Sequence, residues 1–265
     1  MNYLDPQCIP REFHYRDNEM TTIASNISPI FYGSVPIHTI IIGDNATGKT
    51  TAIKKLLQEV KETLPETVPC YINCRKHHTE YSIYGQIYKQ VLHKKAPQIG
   101  SNTQKIYGAI MTKLEKTRHP LIVVLDDVNY LLGNSYKASP HSQNVIRNLT
   151  RSNESYETIV GIYPIITSQE FKYKFDKEVS TLFTPYEVHF KPYTHEQYYN
   201  IIRERCNVAF NIEIDENVIK IIVKKIEKTR NIRKAWDILK RFGIILMESD
   251  KTQEEAIMEA IRKGR

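Results

Sequence analysis

The chain has 265 residues, 41% hydrophobic and 25% charged, with a formal net charge of +7, a globular composition large enough for one domain plus a small second one. No apolar run reaches membrane-spanning length, the four cysteines are too few for a disulfide scaffold, and the opening Met1-Asn2-Tyr3-Leu4-Asp5-Pro6 lacks the basic and apolar parts of a signal peptide. These features exclude a membrane partner and point to a cytoplasmic protein; the positive balance fits a nucleic-acid partner but fits solvated helix faces as well.

Residues 1–36 are rich in turn formers (Pro6, Pro10, Pro29, Gly33, Pro36), and between them 16–27 reads as an amphipathic helix. Ile37-His38-Thr39-Ile40-Ile41-Ile42 is apolar and β-branched, the pattern of a buried strand. It runs into Gly43-Asp44-Asn45-Ala46-Thr47-Gly48-Lys49-Thr50, which matches the phosphate-loop pattern G-x-x-x-x-G-K-[S/T]. The glycines allow the backbone to turn tightly and aim its N–H groups at phosphate oxygens. Lys49 is placed for the β- and γ-phosphates, and the Thr50 hydroxyl for a Mg²⁺ ion. Apolar residues at helical spacing over 51–60 supply the helix whose positive end faces the anion. Strand, loop and helix come in the order the motif needs, so ATP or ADP with Mg²⁺ is the expected ligand.

A second strand follows over 68–74, then a helix over 79–93 with Ile83, Ile87 and Val91 on one face. Lys94, Lys95, Pro97 and Gly100 mark a loop, and 103–116 is a further helix. Cys70 and Cys74, near His77 and His78, match no standard zinc spacing and read as small buried hydrophobes. Leu121-Ile122-Val123-Val124-Leu125-Asp126-Asp127 is an apolar strand ending in two carboxylates, where open α/β sheets bind ligands. There Asp126 would hold Mg²⁺ through water and Asp127 would orient or deprotonate an attacking water. A helix over 143–153 and strands over 158–163 and 187–190 complete an alternation that implies a mainly parallel sheet.

From Thr194 the pattern is all-helical. Thr194-His195-Glu196-Gln197 is a capping box, Asp215 caps a second helix, a third runs over 232–248, and Thr252-Gln253-Glu254-Glu255 opens the last. The expected fold is α/β: a P-loop three-layer sandwich of the AAA+ type with a mainly parallel five-stranded sheet over 1–193, followed by an all-helical lid over 194–265.

Several stretches together resemble the archaeal replication initiator ATPases related to the eukaryotic origin recognition complex and its cell-division-control partner. They are Tyr3-Leu4 through Ile9-Pro10 with His14-Tyr15-Arg16, Tyr71-Ile72-Asn73-Cys74-Arg75 with Thr79 and Tyr81, Gly161-Ile162, Phe190-Lys191-Pro192-Tyr193-Thr194 with Arg205, and Asn231-Ile232-Arg233-Lys234-Ala235. The resemblance implies that Ile9, Pro10 and Arg16 lie on the adenine side, and that Gly43 and 46–51 (Ala46, Thr47, Gly48, Lys49, Thr50, Thr51) hold the phosphates. It implies further that Tyr193 and Arg205 line the base and ribose from the lid, and that Arg233 is a sensor approaching the γ-phosphate. Its implied partners are double-stranded origin DNA and replication proteins such as a helicase or paralogous initiators.

The chain also departs from that pattern. Asp127 stands where the family has Glu, Pro164 aligns with its polar first sensor, and Glu178 falls where a trans-acting arginine is expected. These changes touch hydrolysis, so slow or absent turnover is expected. Members of the family usually carry a C-terminal winged-helix domain that contacts DNA, whereas this sequence stops at Arg265; it is expected to be a truncated paralogue or a fragment, with DNA contact expected on the ATPase portion. There Lys89, Lys94, Lys95, Tyr81, Tyr84 and Tyr88 suit phosphate contact and base stacking, or a solvated face. The alternative reading is a non-catalytic nucleotide-binding module that makes only protein contacts.

Overall fold

The computed structural model describes residues 2–5, 8–10, 13–97, 102–132, 143–167 and 175–264. The turn expected at Gly100 lies outside the described residues. The chain divides into two compact units that interleave in sequence: Asp17–Gly43 with Lys49–Phe190, and Met1–Arg16 with Asp44–Gly48 and Lys191–Arg265.

The first unit is built on a five-stranded sheet in the order β2-β3-β4-β1-β5. Its strands are β1 (Thr39–Ile42), β2 (Val68–Asn73), β3 (Leu121–Asp126), β4 (Val160–Ile166) and β5 (Tyr186–His189), and every pairing is parallel. Parallel strands need crossovers, and these are helical: α2 (Lys49–Thr63), α3 (Glu80–Leu92), α4 (Thr103–Thr117), α5 (Asn144–Thr150) and α6 (Lys177–Leu182), with α1 (Asp17–Ile27) before β1. Central β1, β3 and β4 are buried at every position, as continuous apolar runs covered on both faces are. Cys70 and Cys74 are fully buried in this core, where burial pushes the Cys70 thiol up to about 12.

Three local features differ from what the sequence pattern predicts. The strand expected to stop at Tyr163 continues through Pro164 to Ile166. Ile162 and Pro164 share one edge of β4, and the Ile162 N–H points to His38, whose Nδ1 accepts it at 3.2 Å. The N–H that proline lacks therefore faces β1, and the β1–β4 pairing starts only at Ile165. Second, α6 has no counterpart among the expected elements; Asp176 caps it by accepting from the Val179 N–H at 2.8 Å. Third, Tyr84 is fully buried, its ring 5.3 Å from that of Tyr107, so it belongs to the core and is not available to stack on a base.

The second unit is helical: α7 (His195–Ala209), α8 (Glu216–Glu227), α9 (Arg233–Glu248) and α10 (Gln253–Arg262). Both predicted capping boxes form, at Thr194 with Gln197 and at Thr252 with Glu255. Val218, Ile222, Trp236, Leu239, Phe242 and Ile257 form the centre of its core. The first sixteen residues group with these helices and not with the sheet, where their place in the chain would put them. Leu4, in a short 3₁₀ turn over Asn2–Leu4, is buried in the same core, and Arg205 of α7 donates to the Tyr3 carbonyl at 2.7 Å. No described helix is long and apolar enough to cross a membrane.

Candidate functional site

In the sheet unit the phosphate loop leaves the carboxyl end of β1 at Gly43 and re-enters at Lys49, the first residue of α2. Lys49 is buried, and its ammonium donates to the Gly43 carbonyl at 2.7 Å, which folds the cation back into the loop it follows. Next to it, the Thr50 hydroxyl donates to Asp126 Oδ2 at 2.9 Å. That bond joins the first turn of α2 to the end of β3, the two places that the motifs singled out. Thr51 is half-buried on the same first turn.

Asp126 is only 4% exposed, so its charge depends on hydrogen bonds in place of water. Besides Thr50, it accepts from the Asp127 N–H at 2.9 Å on Oδ1 and from the Tyr71 hydroxyl at 2.5 Å on Oδ2. Burial, and then the neighbouring Asp126 charge, hold the Tyr71 phenol well above its usual range, so it remains a donor. Cys74 at the end of β2 is raised by burial first and by Asp126 and Asp127 next, which keeps it a thiol. Asp127 follows in a left-handed backbone conformation, φ 56°. Its carboxylate meets Asn73 Nδ2 at 3.4 Å and the Thr167 hydroxyl at 3.5 Å.

Tyr71 and Thr167 are site residues that the motifs do not identify. Tyr71 reaches Asp126 diagonally across two strands, in a register that pairs Asn73 with Asp126, and no local sequence pattern encodes a register. Thr167 lies one residue past β4. A polar residue directly after a buried strand beside an acidic strand end is the signal available in the sequence. Pro164 itself is buried inside β4. Glu178, in the first turn of α6, accepts from Arg147 of α5 at 2.5 Å.

The remainder of the loop belongs to the helical unit. Ala46 and Gly48 both have positive φ, 63° and 91°. A Cβ on Gly48 would lie 2.4 Å from the Tyr193 hydroxyl and 3.4 Å from Phe13, so only glycine fits there. Thr47 is buried and turns its hydroxyl onto the Asp44 carbonyl at 2.9 Å, which makes it part of the loop's own frame. Arg16 is buried, lies 4.2 Å above the Tyr193 ring, and donates to the Lys191 carbonyl at 2.6 Å. These contacts bring Arg16, Tyr193 and Gly48 together. Arg205 is directed elsewhere, onto the Tyr3 carbonyl and 5.0 Å above Trp236. Arg233 is exposed at the start of α9, while Ile9 is exposed and Pro10 half-buried.

The donor set fits a Mg²⁺-bound nucleotide. Within the sheet unit, a buried lysine at a helix start suits a phosphate group, and a hydroxyl bonded to a buried carboxylate suits a hard cation with oxygen ligands.

Compared with known proteins, residues 36–162 match the AAA domain family. The chain is 34% identical to ORC1-type DNA replication protein 2 of Methanothermobacter thermautotrophicus, across 99% of this chain and 69% of that protein. It is 29% identical to the protein of the same name from Methanosarcina mazei, across 92% of this chain and 64% of the relative. Among solved structures it is similar to the Aeropyrum pernix ORC1 protein in complex with DNA, with a TM-score of 0.83 at 24% identity over 98% of this chain and 68% of that one. It is also similar to the Aeropyrum pernix ORC2 protein in its ADPNP-ADP complexes, with a TM-score of 0.81 at 19% identity over 98% of this chain and 71% of the other. These structural likenesses are likenesses of fold. The chain spans about two thirds of the length of the curated relatives it matches.

Proposed function

Because the chain belongs to the ORC1-type DNA replication proteins, a family of AAA+ P-loop ATPases, we propose that it is a nucleotide-dependent switch in replication initiation. The observation that carries this reading is the joined geometry of Lys49, Thr50 and Asp126 at the ends of two neighbouring motifs. Lys49 and the loop N–H groups hold the phosphates, while Thr50 and Asp126 hold Mg²⁺. When bound, that ion neutralises phosphate charge. Arg16 and Tyr193 support the adenine side, and Arg233 is the group that meets the γ-phosphate when ATP is present.

Hydrolysis is slow in this reading. The Asp127 carboxylate is one methylene shorter than Glu and is held by Asn73 and Thr167, so it orients a water from about 1 Å too far away, a displacement that costs ~10²-fold in rate. Glu178 brings no positive charge to a neighbouring copy, and the arginine beside it, Arg147, is paired with it.

The output is binding of duplex DNA and of replication proteins such as paralogous initiators or a helicase. Lys89, Lys94 and Lys95, exposed on and just after α3, supply phosphate contacts. The direct tests are binding of labelled ATP and ADP by the whole chain, and turnover of Asp127→Glu. The substitution is expected to raise turnover by about 10-fold or more. An unchanged rate would remove the misplaced-carboxylate account.

A further inference from the structure

Each carboxylate of the acidic pair at the end of β3 takes one hydrogen bond from β2, a strand that carries no phosphate or metal motif. Tyr71 and Asn73 are two residues apart and so face the same side of β2. Asn73 is paired in register with Asp126, which makes Tyr71 its diagonal neighbour. Diagonal positions are about 7–8 Å apart, a span only a long side chain bridges. The Tyr71 phenol bridges it and donates to Asp126 Oδ2 at 2.5 Å. The same oxygen accepts from Thr50 at 2.9 Å, while Oδ1 is held by the Asp127 N–H at 2.9 Å. From the helix side the Lys54 ammonium lies 4.8 Å above the Tyr71 ring, which fixes the ring between α2 and the sheet.

We propose that Tyr71 is a positioning residue for the magnesium-binding carboxylate. Its hydroxyl locks the Asp126 side chain in the one orientation that leaves the carboxylate aimed at the Thr50 oxygen. This rests on the nucleotide-binding reading above and adds a residue to it. Without the phenol, Asp126 keeps two donors but loses the one that comes from a rigid neighbouring strand, so the ion meets a carboxylate free to rotate. Partners of this kind behind a metal ligand are worth about 10–100-fold in metal affinity.

The test uses the whole chain, a fluorescent ADP analogue and a magnesium titration, with wild type, Tyr71→Phe, Tyr71→Leu and Asp126→Asn compared. Tyr71→Phe keeps the ring and removes only the hydroxyl. It is expected to raise the half-saturating magnesium concentration about 10-fold or more, while ADP affinity in EDTA stays within about twofold of wild type. Tyr71→Leu is expected to match it, since the hydroxyl and not the ring carries the effect, and Asp126→Asn to abolish the magnesium dependence. Wild-type magnesium dependence in Tyr71→Phe would overturn the proposal, whatever Tyr71→Leu does. So would an equal loss with and without magnesium, which is the mark of a merely structural role. If wild type binds the analogue in neither buffer, the nucleotide reading itself fails, and that outcome is separable from the others.

Discussion

Single side chains in this protein are placed by the need to satisfy buried polar groups. Asp126 draws three donors because it has lost its water, and Lys49 turns to a carbonyl for the same reason. His38 is a further case, with a consequence for pH. Its Nδ1 accepts the Ile162 N–H, which requires the neutral ring, and burial lowers its pKa below the usual 6.5. The unfolded chain therefore binds this proton at a higher pH than the folded one. The stability His38 gives is complete above pH 6.5 and is lost as pH falls from there toward the lowered folded value. Urea midpoints measured between pH 7.5 and 5.5 should fall in wild type and fall less in His38→Gln, which has no titrating ring. Equal slopes in the two proteins would show that His38 is not the group responsible.

At the scale of elements, local patterns carry what is local. The apolar β-branched runs identify β1 and β3, and helical spacing with capping boxes identifies α7, α8 and α10 within a residue or two. The capping box at Thr194 is a pure sequence signal that the structure forms in full, with Gln197 N donating to Thr194 Oγ1 and Thr194 N to Gln197 Oε1. Thr194→Ala should cost about 1 kcal/mol in the unfolding of the helical unit, read from a denaturation curve at the ultraviolet signal of Trp236. No change would mean that α7 is held by packing alone. What local pattern leaves out depends on distant partners. The six residues of α6 are too few for periodicity to register. The passage of β4 through Pro164 is tolerated because the N–H that proline lacks faces the β1 side ahead of Ile165, where the β1–β4 pairing begins. Tyr84, grouped with exposed aromatics by its neighbours in sequence, is inside because Tyr107 of α4 packs against it. The bridge from Tyr71 to Asp126 needs the strand register, which no stretch of sequence shorter than the whole sheet determines.

At the scale of the whole molecule, the net charge of +7 is a balance that no single patch accounts for, so the proposed nucleic-acid surface needs its own test. Lys89, Lys94 and Lys95, with His93 between them, are exposed at the end of α3, whereas Lys49 and Arg16 are buried and spend their charge inside the protein. A duplex bound there should lose affinity steeply with salt. Replacing the three lysines by alanine should make the salt slope shallower by about 3, since each neutralised phosphate contributes close to 0.9. A salt slope unchanged in that variant would put the nucleic-acid surface elsewhere. The motifs that announce nucleotide binding are the most legible part of the chain, because phosphate recognition uses consecutive backbone groups that one octapeptide encodes.

Calorimetric titration of the whole chain with Mg·ATP and Mg·ADP, beside Lys49→Ala, tests the central claim most directly. One nucleotide should bind per wild-type chain, and Lys49→Ala should weaken that binding by about 10–100-fold, the worth of a charged hydrogen bond. A wild-type chain that binds neither nucleotide, or a Lys49→Ala variant that binds both as tightly, would contradict the account.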